Sequence, residues 1–171
     1  MAQSAKRLAE LLKARNLTIA VAETSAGGLV ASKLLARPGA SGFFRGGIVC
    51  YSAQAKRALL PGLPEKLAPT ATEKHALQLA VALRELLEVD YAIGESGVAG
   101  PSKNSRGIAP GVDAVAVAGP DGAYLTRMLF PDTELSAADA YGQAPKVPRA
   151  DAMEKFSESA LALAVEALEA T

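Results

Sequence analysis

The order of apolar segments in this 171-residue chain predicts an α/β fold, a three-layer α/β/α sandwich around a mixed, mostly parallel sheet. Two observations support this prediction. Strand-like and helical runs alternate over residues 1–94, as they do where crossover helices join parallel strands. Residues 112–118 and 124–130 are two further strand-like runs, and a short turn of Gly, Pro and Asp separates them, so they predict an antiparallel hairpin.

Apolar spacing defines the elements of the first sixty residues. Ala5, Leu8 and Leu12 recur at helical intervals, and Asn16 is a typical helix stop. A glycine-rich stretch over 41–47 leads into the second strand, and Ser52 is a typical N-cap. The predicted elements are a helix over 1–15, a strand over 17–22, a helix over 27–35, a strand over 48–51 and a short helix over 52–60.

The second part of the chain begins with a long helix that Thr72 caps. Its apolar residues cover one broad face, which we expect to lie on the sheet. The remaining predicted elements are a third strand over 91–94, a turn of small residues over 95–101, the hairpin, a mobile excursion over 131–148 and a closing helix over 151–170.

Composition limits the classes of partner. Lysines and arginines number 18, as do aspartates and glutamates, so no excess charge favours nucleic acid or an anionic membrane, and we expect a small-molecule partner. Residues 1–15 lack a signal pattern and no apolar run is long enough to span a membrane, which predicts one cytoplasmic domain over 1–171. The lone Cys50 excludes an internal disulfide, and His75 is the lone histidine, so we expect no metal and no cofactor.

The first strand runs directly into a turn with unusual chemistry. Glu23, Thr24 and Ser25 place a carboxylate and two hydroxyls there, and Gly27-Gly28 opens the following helix. Backbone N–H groups at such a turn favour an anion or a developing oxyanion. The simpler interpretation is a plain connection whose hydroxyls cap the helix.

Two other turns of small and polar residues follow strands, at 51–56 and 95–101. Ligands of α/β sheets bind beyond the carboxyl ends of strands, so we expect these turns to converge with the first one. A hydroxyl nucleophile there needs a base. Lys56, with a pKa lowered by partial burial, is the best-placed candidate beside Thr24 or Ser25, and Tyr51 would orient the pair or relay a proton.

Two plainer interpretations stay open at this point. Lys56 fits a solvated helix lysine, and Tyr51 fits an aromatic residue at a strand end. A triad built on histidine would have to use His75, which otherwise fits an ordinary histidine on a helix surface.

Four ordered blocks resemble the CinA C-terminal domain family. They are Glu23-Thr24-Ser25-Ala26-Gly27-Gly28, Pro38-Gly39-Ala40-Ser41, Tyr51-Ser52 with Ala55-Lys56, and Ser96-Gly97-Val98-Ala99-Gly100-Pro101. The resemblance implies a three-layer α/β/α domain, commonly a homodimer. It also implies a metal-independent amidohydrolase of pyridine nucleotide salvage, resembling the deamidases that convert nicotinamide mononucleotide to nicotinate mononucleotide and ammonia.

The resemblance assigns roles position by position. The family's first block usually reads Glu-Ser-Cys-Thr-Gly-Gly, so its nucleophilic serine falls on Thr24 and its cysteine on Ser25, while Tyr51 and Lys56 match unchanged. Either Thr24 attacks, or Ser25 substitutes, or catalysis is lost. The residues that the resemblance implies for substrate binding are Gly27, Gly28, Ser41, Ser96, Gly97, Gly100 and Arg149.

The chain also departs from the family pattern. Ser102-Lys103-Asn104 replaces a glycine pair, and Arg149 stands where more arginines are common. The alternative prediction is therefore a degenerate member that binds a nucleotide or a partner without turnover. A purely structural interaction module would do neither.

Overall fold

The structure is a computed structural model that describes residues 3–130 and 148–171. Its helices and strands follow one another in the order expected for an α/β chain. They are α1 (Gln3–Ala14), β1 (Ile19–Glu23), α2 (Leu29–Leu35), β2 (Phe44–Val49), α3 (Ala53–Leu59), α4 (Glu73–Leu87), β3 (Tyr91–Val98), β4 (Val112–Ala118), β5 (Tyr124–Leu129) and α5 (Arg149–Glu169).

The strands form one mixed sheet in the order β2-β1-β3-β4-β5. β1 pairs in parallel with β2 and β3, whereas β4 pairs antiparallel with β3 and β5. Four of these five strands therefore point the same way, and β4 is the exception. The predicted fold class and the hairpin of β4 and β5 are confirmed.

Side chains of alternating size separate the two faces of the sheet. Ile19, Val21 and Ile93 point into a large apolar core formed with α1, α2 and α5. Ala20 and Ala92 point to the opposite face, where α4 and the segment around α3 cover them. Helices thus lie on both sides of the sheet, which gives the three layers that the sequence predicts.

The α4 face is built from small residues because the helix lies close to the strands. A Cβ atom at Gly94 would lie 2.0 Å from the carbonyl oxygen of Ala76 and 2.8 Å from the amide nitrogen of Ala80. Both atoms belong to the backbone of α4. Gly94 therefore allows the close approach between the helix and the sheet.

Two strand boundaries lie four residues from their predicted positions, and other strand ends differ by one or two residues. β2 begins at Phe44 and includes Gly46 and Gly47, because these glycines pair with β1. A Cβ atom at Gly47 would lie 3.0 Å from the Cβ of Ala31, so there is little room for a side chain at this position. β3 continues through residues 95–98, because β4 offers them an antiparallel partner. The periodicity of the sequence does not predict either boundary, because each depends on pairing with a neighbouring strand, β1 for β2 and β4 for β3.

Other local predictions are confirmed. Ser52 caps α3 by accepting a hydrogen bond from the amide of Ala55, and Thr72 caps α4 by accepting one from His75. The predicted excursion over 131–148 lies outside the described residues except for Pro148, which immediately precedes α5. Among residues 3–130 and 148–171, no helix is long and apolar enough to cross a membrane.

We predict that Gly94→Ala destabilises the fold by roughly 3 kcal/mol, because overpacking against helix backbone has no flexible side chain to relax. Gly42→Ala is the matched control, since no atom lies within 4 Å of its added Cβ. Urea unfolding of both variants gives the comparison. Equal midpoints would show that α4 can move away from the sheet at no cost.

Candidate functional site

The three turns that follow β1, β2 and β3, together with Thr70 and Arg149, line a cavity of about 370 Å³ at the carboxyl ends of β1 and β3. This is the convergence that the sequence predicts. The lining residues are Thr24, Ser25, Tyr51, Lys56, Thr70, Ser96, Gly97, Val98, Ala99, Gly100, Ser102, Lys103, Asn104 and Arg149.

Glu23 ends β1 with a buried carboxylate that binds the start of α2. Its Oε2 accepts hydrogen bonds from the amides of Gly28 at 2.9 Å and Val30 at 3.1 Å, and its Oε1 accepts one from Ala31 at 2.9 Å. Burial raises the pKa of Glu23, and these amide donors act against that rise. The carboxylate, and not a hydroxyl, therefore caps this helix.

Glu95 on β3 holds the turn between β1 and α2 in the same way. Its Oε2 accepts hydrogen bonds from the amides of Thr24 at 2.8 Å and Ala26 at 2.9 Å, and its Oε1 accepts one from Ser25 at 3.2 Å. The Glu95 side chain is 0% exposed. Burial raises the pKa of this carboxyl, and the amides of Ala26 and Thr24 lower it.

These two carboxylates change the predicted chemistry of the turn. Together they occupy six backbone amides between Thr24 and Ala31. The prediction that this turn offers its amides to a developing oxyanion is wrong for these six groups, because each already donates to a buried carboxylate. The prediction that the turn hydroxyls cap the helix is also wrong, because the carboxylate of Glu23 accepts the amides at the start of α2.

The two turn hydroxyls differ in how strongly they are held. Ser25 Oγ donates a hydrogen bond to the carbonyl oxygen of Gly97 at 2.5 Å and accepts one from the Gly97 amide at 3.3 Å. Among residues 3–130 and 148–171, Thr24 Oγ1 has a single polar contact, of 3.4 Å with Ser25 Oγ. The hydroxyl of Thr24 is therefore the one with free hydrogen-bonding capacity toward the cavity.

Lys56 lies on α3 with its amine directed inward. The residue is 4% exposed, and its Nζ lies 3.5 Å from the carbonyl oxygen of Tyr51. Burial lowers the pKa of Lys56, while Cys50 and Glu95 oppose the shift. The interpretation of Lys56 as a solvated helix lysine is wrong.

The amine and the hydroxyls face the same cavity without touching. Within the described residues, no hydrogen bond of 3.5 Å or less joins Lys56 Nζ to Thr24 or Ser25. In catalytic sites without substrate, such contacts are often long and tighten when substrate binds. The predicted pair therefore shares a site, but its hydrogen bond is not formed here.

Arg149, at the first residue of α5, closes one side of the cavity. Its Nη1 donates to the carbonyl oxygen of Gly100 at 2.5 Å, and its Nη2 lies 3.3 Å from the hydroxyl of Tyr51. Tyr51 is 61% exposed, so its ring lies at the rim and its backbone carbonyl contacts Lys56. This geometry connects the end of β2 with the loop after β3.

Of the eleven predicted site residues, eight line the cavity and three do not. Ser96 lines it, and its Oγ accepts a hydrogen bond from the amide of Ala71 at 3.1 Å. Gly27, Gly28 and Ser41 lie elsewhere: the two glycines form the turn above α2, and Ser41 is exposed, with its carbonyl accepting a hydrogen bond from Arg45.

His75 does not lie on the helix surface as the plainer interpretation has it. It is buried, and its Nδ1 lies 2.6 Å from the carbonyl oxygen of Ala68. That contact makes Nδ1 the protonated nitrogen, and burial lowers the pKa of the ring. His75 does not line the cavity.

Two buried acids are absent from the sequence prediction. Glu95 and Asp113 interrupt otherwise apolar or small-residue strands, and a charge in such a strand is the signal that could have found them. Lys103 and Asn104 also line the cavity. In the described part of the chain, no group of three or more His, Cys, Asp or Glu side chains is arranged to hold a metal ion.

Comparison with known proteins gives a consistent result. The family model of the CinA C-terminal domain matches residues 1–141. A CinA-like protein of Chloroherpeton thalassium is 36% identical over 168 residues, which are 97% of this chain and 37% of that protein. A putative competence-damage inducible protein of Streptococcus agalactiae is 40% identical over 121 residues, which are 69% of this chain and 28% of that protein.

Solved structures share the whole fold. A CinA superfamily protein from Enterobacter cloacae has a TM-score of 0.81 at 27% identity, covering 98% of this chain and 91% of its own. A competence or damage-inducible protein from Enterobacter asburiae has a TM-score of 0.80 at 26% identity, covering 98% and 97%. This chain spans 37% and 28% of the two curated relatives above. Its sequence and its fold together show that the chain belongs to the CinA C-terminal domain family.

Proposed function

We propose that this protein is an amidohydrolase that converts the carboxamide of nicotinamide mononucleotide, or of a closely similar nucleotide, to a carboxylate and ammonia. The observation that carries the proposal is the buried amine of Lys56 in the same cavity as Thr24 and Ser25. A buried lysine with a lowered pKa can act as a base near neutrality. We place the activity in the cytoplasm on the sequence pattern of residues 1–15, and we expect a homodimer, as the family resemblance implies.

Thr24 is the better candidate for the nucleophile. The Ser25 hydroxyl already donates to and accepts from the backbone of Gly97, whereas Thr24 makes one long contact. The additional methyl group of threonine restricts its rotamers, so the attack is slower than that of a serine at the same place. The steric cost reduces the rate but leaves the chemistry available.

Each half of the reaction, acylation and then hydrolysis of the ester, needs two proton transfers on Lys56. The neutral amine takes the Thr24 hydroxyl proton as Oγ1 forms a bond to the amide carbon, and the resulting ammonium returns a proton to the leaving nitrogen, which departs as ammonia. Water then attacks the ester under the same base, releasing the carboxylate and restoring Thr24. Lys56 is thus proposed as base and acid in turn.

Positive side chains at the rim suit an anionic substrate. Arg149 and Lys103 line the cavity, and guanidinium groups bind phosphate oxygens through charge-assisted hydrogen bonds. Arg149 already donates to the Gly100 carbonyl, which fixes its position before substrate arrives. We therefore propose that the phosphate of the nucleotide binds at this side of the cavity.

A second candidate function is nucleotide binding without turnover. The six turn amides occupied by Glu23 and Glu95 favour it, because these six groups are then not available as donors to a tetrahedral oxyanion. In this alternative the cavity still holds the nucleotide through Arg149 and Lys103. The two functions differ in whether ammonia is released.

We predict that the wild-type protein releases ammonia from nicotinamide mononucleotide, that Thr24→Val and Lys56→Ala lower kcat/KM by about 10²–10⁴-fold, and that Ser25→Ala lowers it less. Lys66→Ala is the control, since Lys66 is an exposed lysine away from the cavity. A coupled ammonia assay measures all four variants. If wild type releases no ammonia while the nucleotide still raises its melting temperature, binding without turnover is the correct function.

The pH dependence of kcat/KM provides a second test. The neutral amine of Lys56 is the active form, so activity should rise with pH and level off above its pKa, which burial places below the ordinary range of a lysine. Below that pKa the rate should fall about tenfold per pH unit. Lys56→Arg should be inactive at every pH because arginine stays charged. An activity that falls as pH rises through the neutral range would exclude Lys56 as the base.

A further inference from the structure

Two carboxyl groups lie together beneath the cavity, on the face of the sheet that α5 covers. Gly97 is paired with Asp113 across β3 and β4, and Glu95 is two residues before Gly97, so both acids project from the same face at diagonal positions. Both side chains are 0% exposed. A Cβ at Gly97 would lie 2.6 Å from Asp113 Oδ1, so the glycine leaves room for that carboxyl.

The two acids have unequal surroundings. Within the part of the chain that the structure describes, Glu95 accepts three amide hydrogen bonds, whereas neither oxygen of Asp113 has a well-formed hydrogen-bond partner, although the Glu95 carboxyl lies beside it. Among residues 3–130 and 148–171, no ion pair involves either acid. Two adjacent buried anions that no cation contacts in a salt bridge are strongly disfavoured, so one of the two must hold a proton.

We propose that Glu95 and Asp113 share a single negative charge, carried by Glu95, and that the ionised Glu95 is a positioning residue that holds the Thr24 turn and acts electrostatically on the amine of Lys56. Asp113 keeps the proton and directs it toward Glu95. The second part of this proposal, the role toward Lys56, rests on the proposed function, whereas the proton assignment does not.

The charged and titratable groups near this pair come from several elements. Glu95 interacts electrostatically with Glu23 at the end of β1, Asp113 on β4, Lys56 on α3 and Cys50 after β2. The amine of Lys56 also interacts with Tyr51 and with His75 on α4. From α5, Phe156 packs at Gly97 and adds no charge. The negative charge of Glu95 raises the pKa of Lys56, against the lowering by burial. The pair therefore helps to set the pH at which the amine becomes neutral.

Infrared spectroscopy tests the proton assignment without any substrate. We expect wild type at neutral pH to show the carbonyl stretching band of a protonated carboxylic acid. Asp113→Asn should remove this band, because its amide replaces the protonated partner, and Glu95→Gln should retain it. A wild-type spectrum without the band, or a band unchanged in Asp113→Asn, would overturn the assignment. The wild-type and Asp113→Asn spectra decide this even if Glu95→Gln does not fold.

Titration of Lys56 by nuclear magnetic resonance, with lysine labelled at the ε-carbon, tests the second part. We expect Glu95→Gln to lower the pKa of Lys56 by on the order of one unit, because it removes a nearby negative charge. Asp113→Asn should leave it nearly unchanged, since it replaces one neutral group by another. Equal shifts in both variants, or no shift in Glu95→Gln, would overturn the proposal.

These measurements separate the inference from the proposed function. If wild type releases no ammonia, the infrared and resonance results still decide where the charge lies. If ammonia is released, the acid limb of kcat/KM should move to lower pH in Glu95→Gln and stay in place in Asp113→Asn. If Glu95→Gln lowers kcat/KM but leaves the acid limb of its pH profile in place, Glu95 has a purely structural role. This result would contradict the proposed effect of Glu95 on the pKa of Lys56.

Discussion

The geometry of the site depends on two buried carboxylates that hold one turn of backbone. Glu23 and Glu95 accept hydrogen bonds from six amides between Thr24 and Ala31, and hydrogen bonds to charged groups stabilise by about 1.5–3 kcal/mol each. Glu23 binds the start of the helix, and Glu95 connects the turn to the neighbouring strand. The position of the Thr24 hydroxyl follows from these bonds.

The sheet supports this arrangement through the size of its side chains. Large residues fill the core shared with α1, α2 and α5. On the opposite face, Gly94 and the small residues near it allow the backbone of α4 to pack directly against the sheet. Gly97 permits close packing on the other face of the sheet, where the absence of a Cβ leaves space for the carboxyl group of Asp113. Both glycines have φ values in the ordinary range, so close packing, and not backbone conformation, explains them.

Local patterns were sufficient to predict the fold class, the caps Ser52 and Thr72, and the convergence of Thr24, Tyr51 and Lys56. They failed where the decisive partner is distant in sequence. Glu95 lies 69 to 71 residues along the chain from the amides it binds. The sequence of the turn alone therefore predicted that these amides were available to bind an oxyanion. The end of β3 was missed for the same reason, because β4 provides its partner.

Lys56 can be neutral beside the buried carboxylates of Glu23 and Glu95 because backbone amides donate hydrogen bonds to both carboxylates. If Glu95 formed a direct ion pair with Lys56, the pKa of the amine would rise and little free base would exist near neutrality. In the described part of the structure no ion pair includes Lys56, and the Glu95 oxygens instead accept three backbone hydrogen bonds. Backbone dipoles thus compensate the buried anion, and the amine remains able to lose its proton.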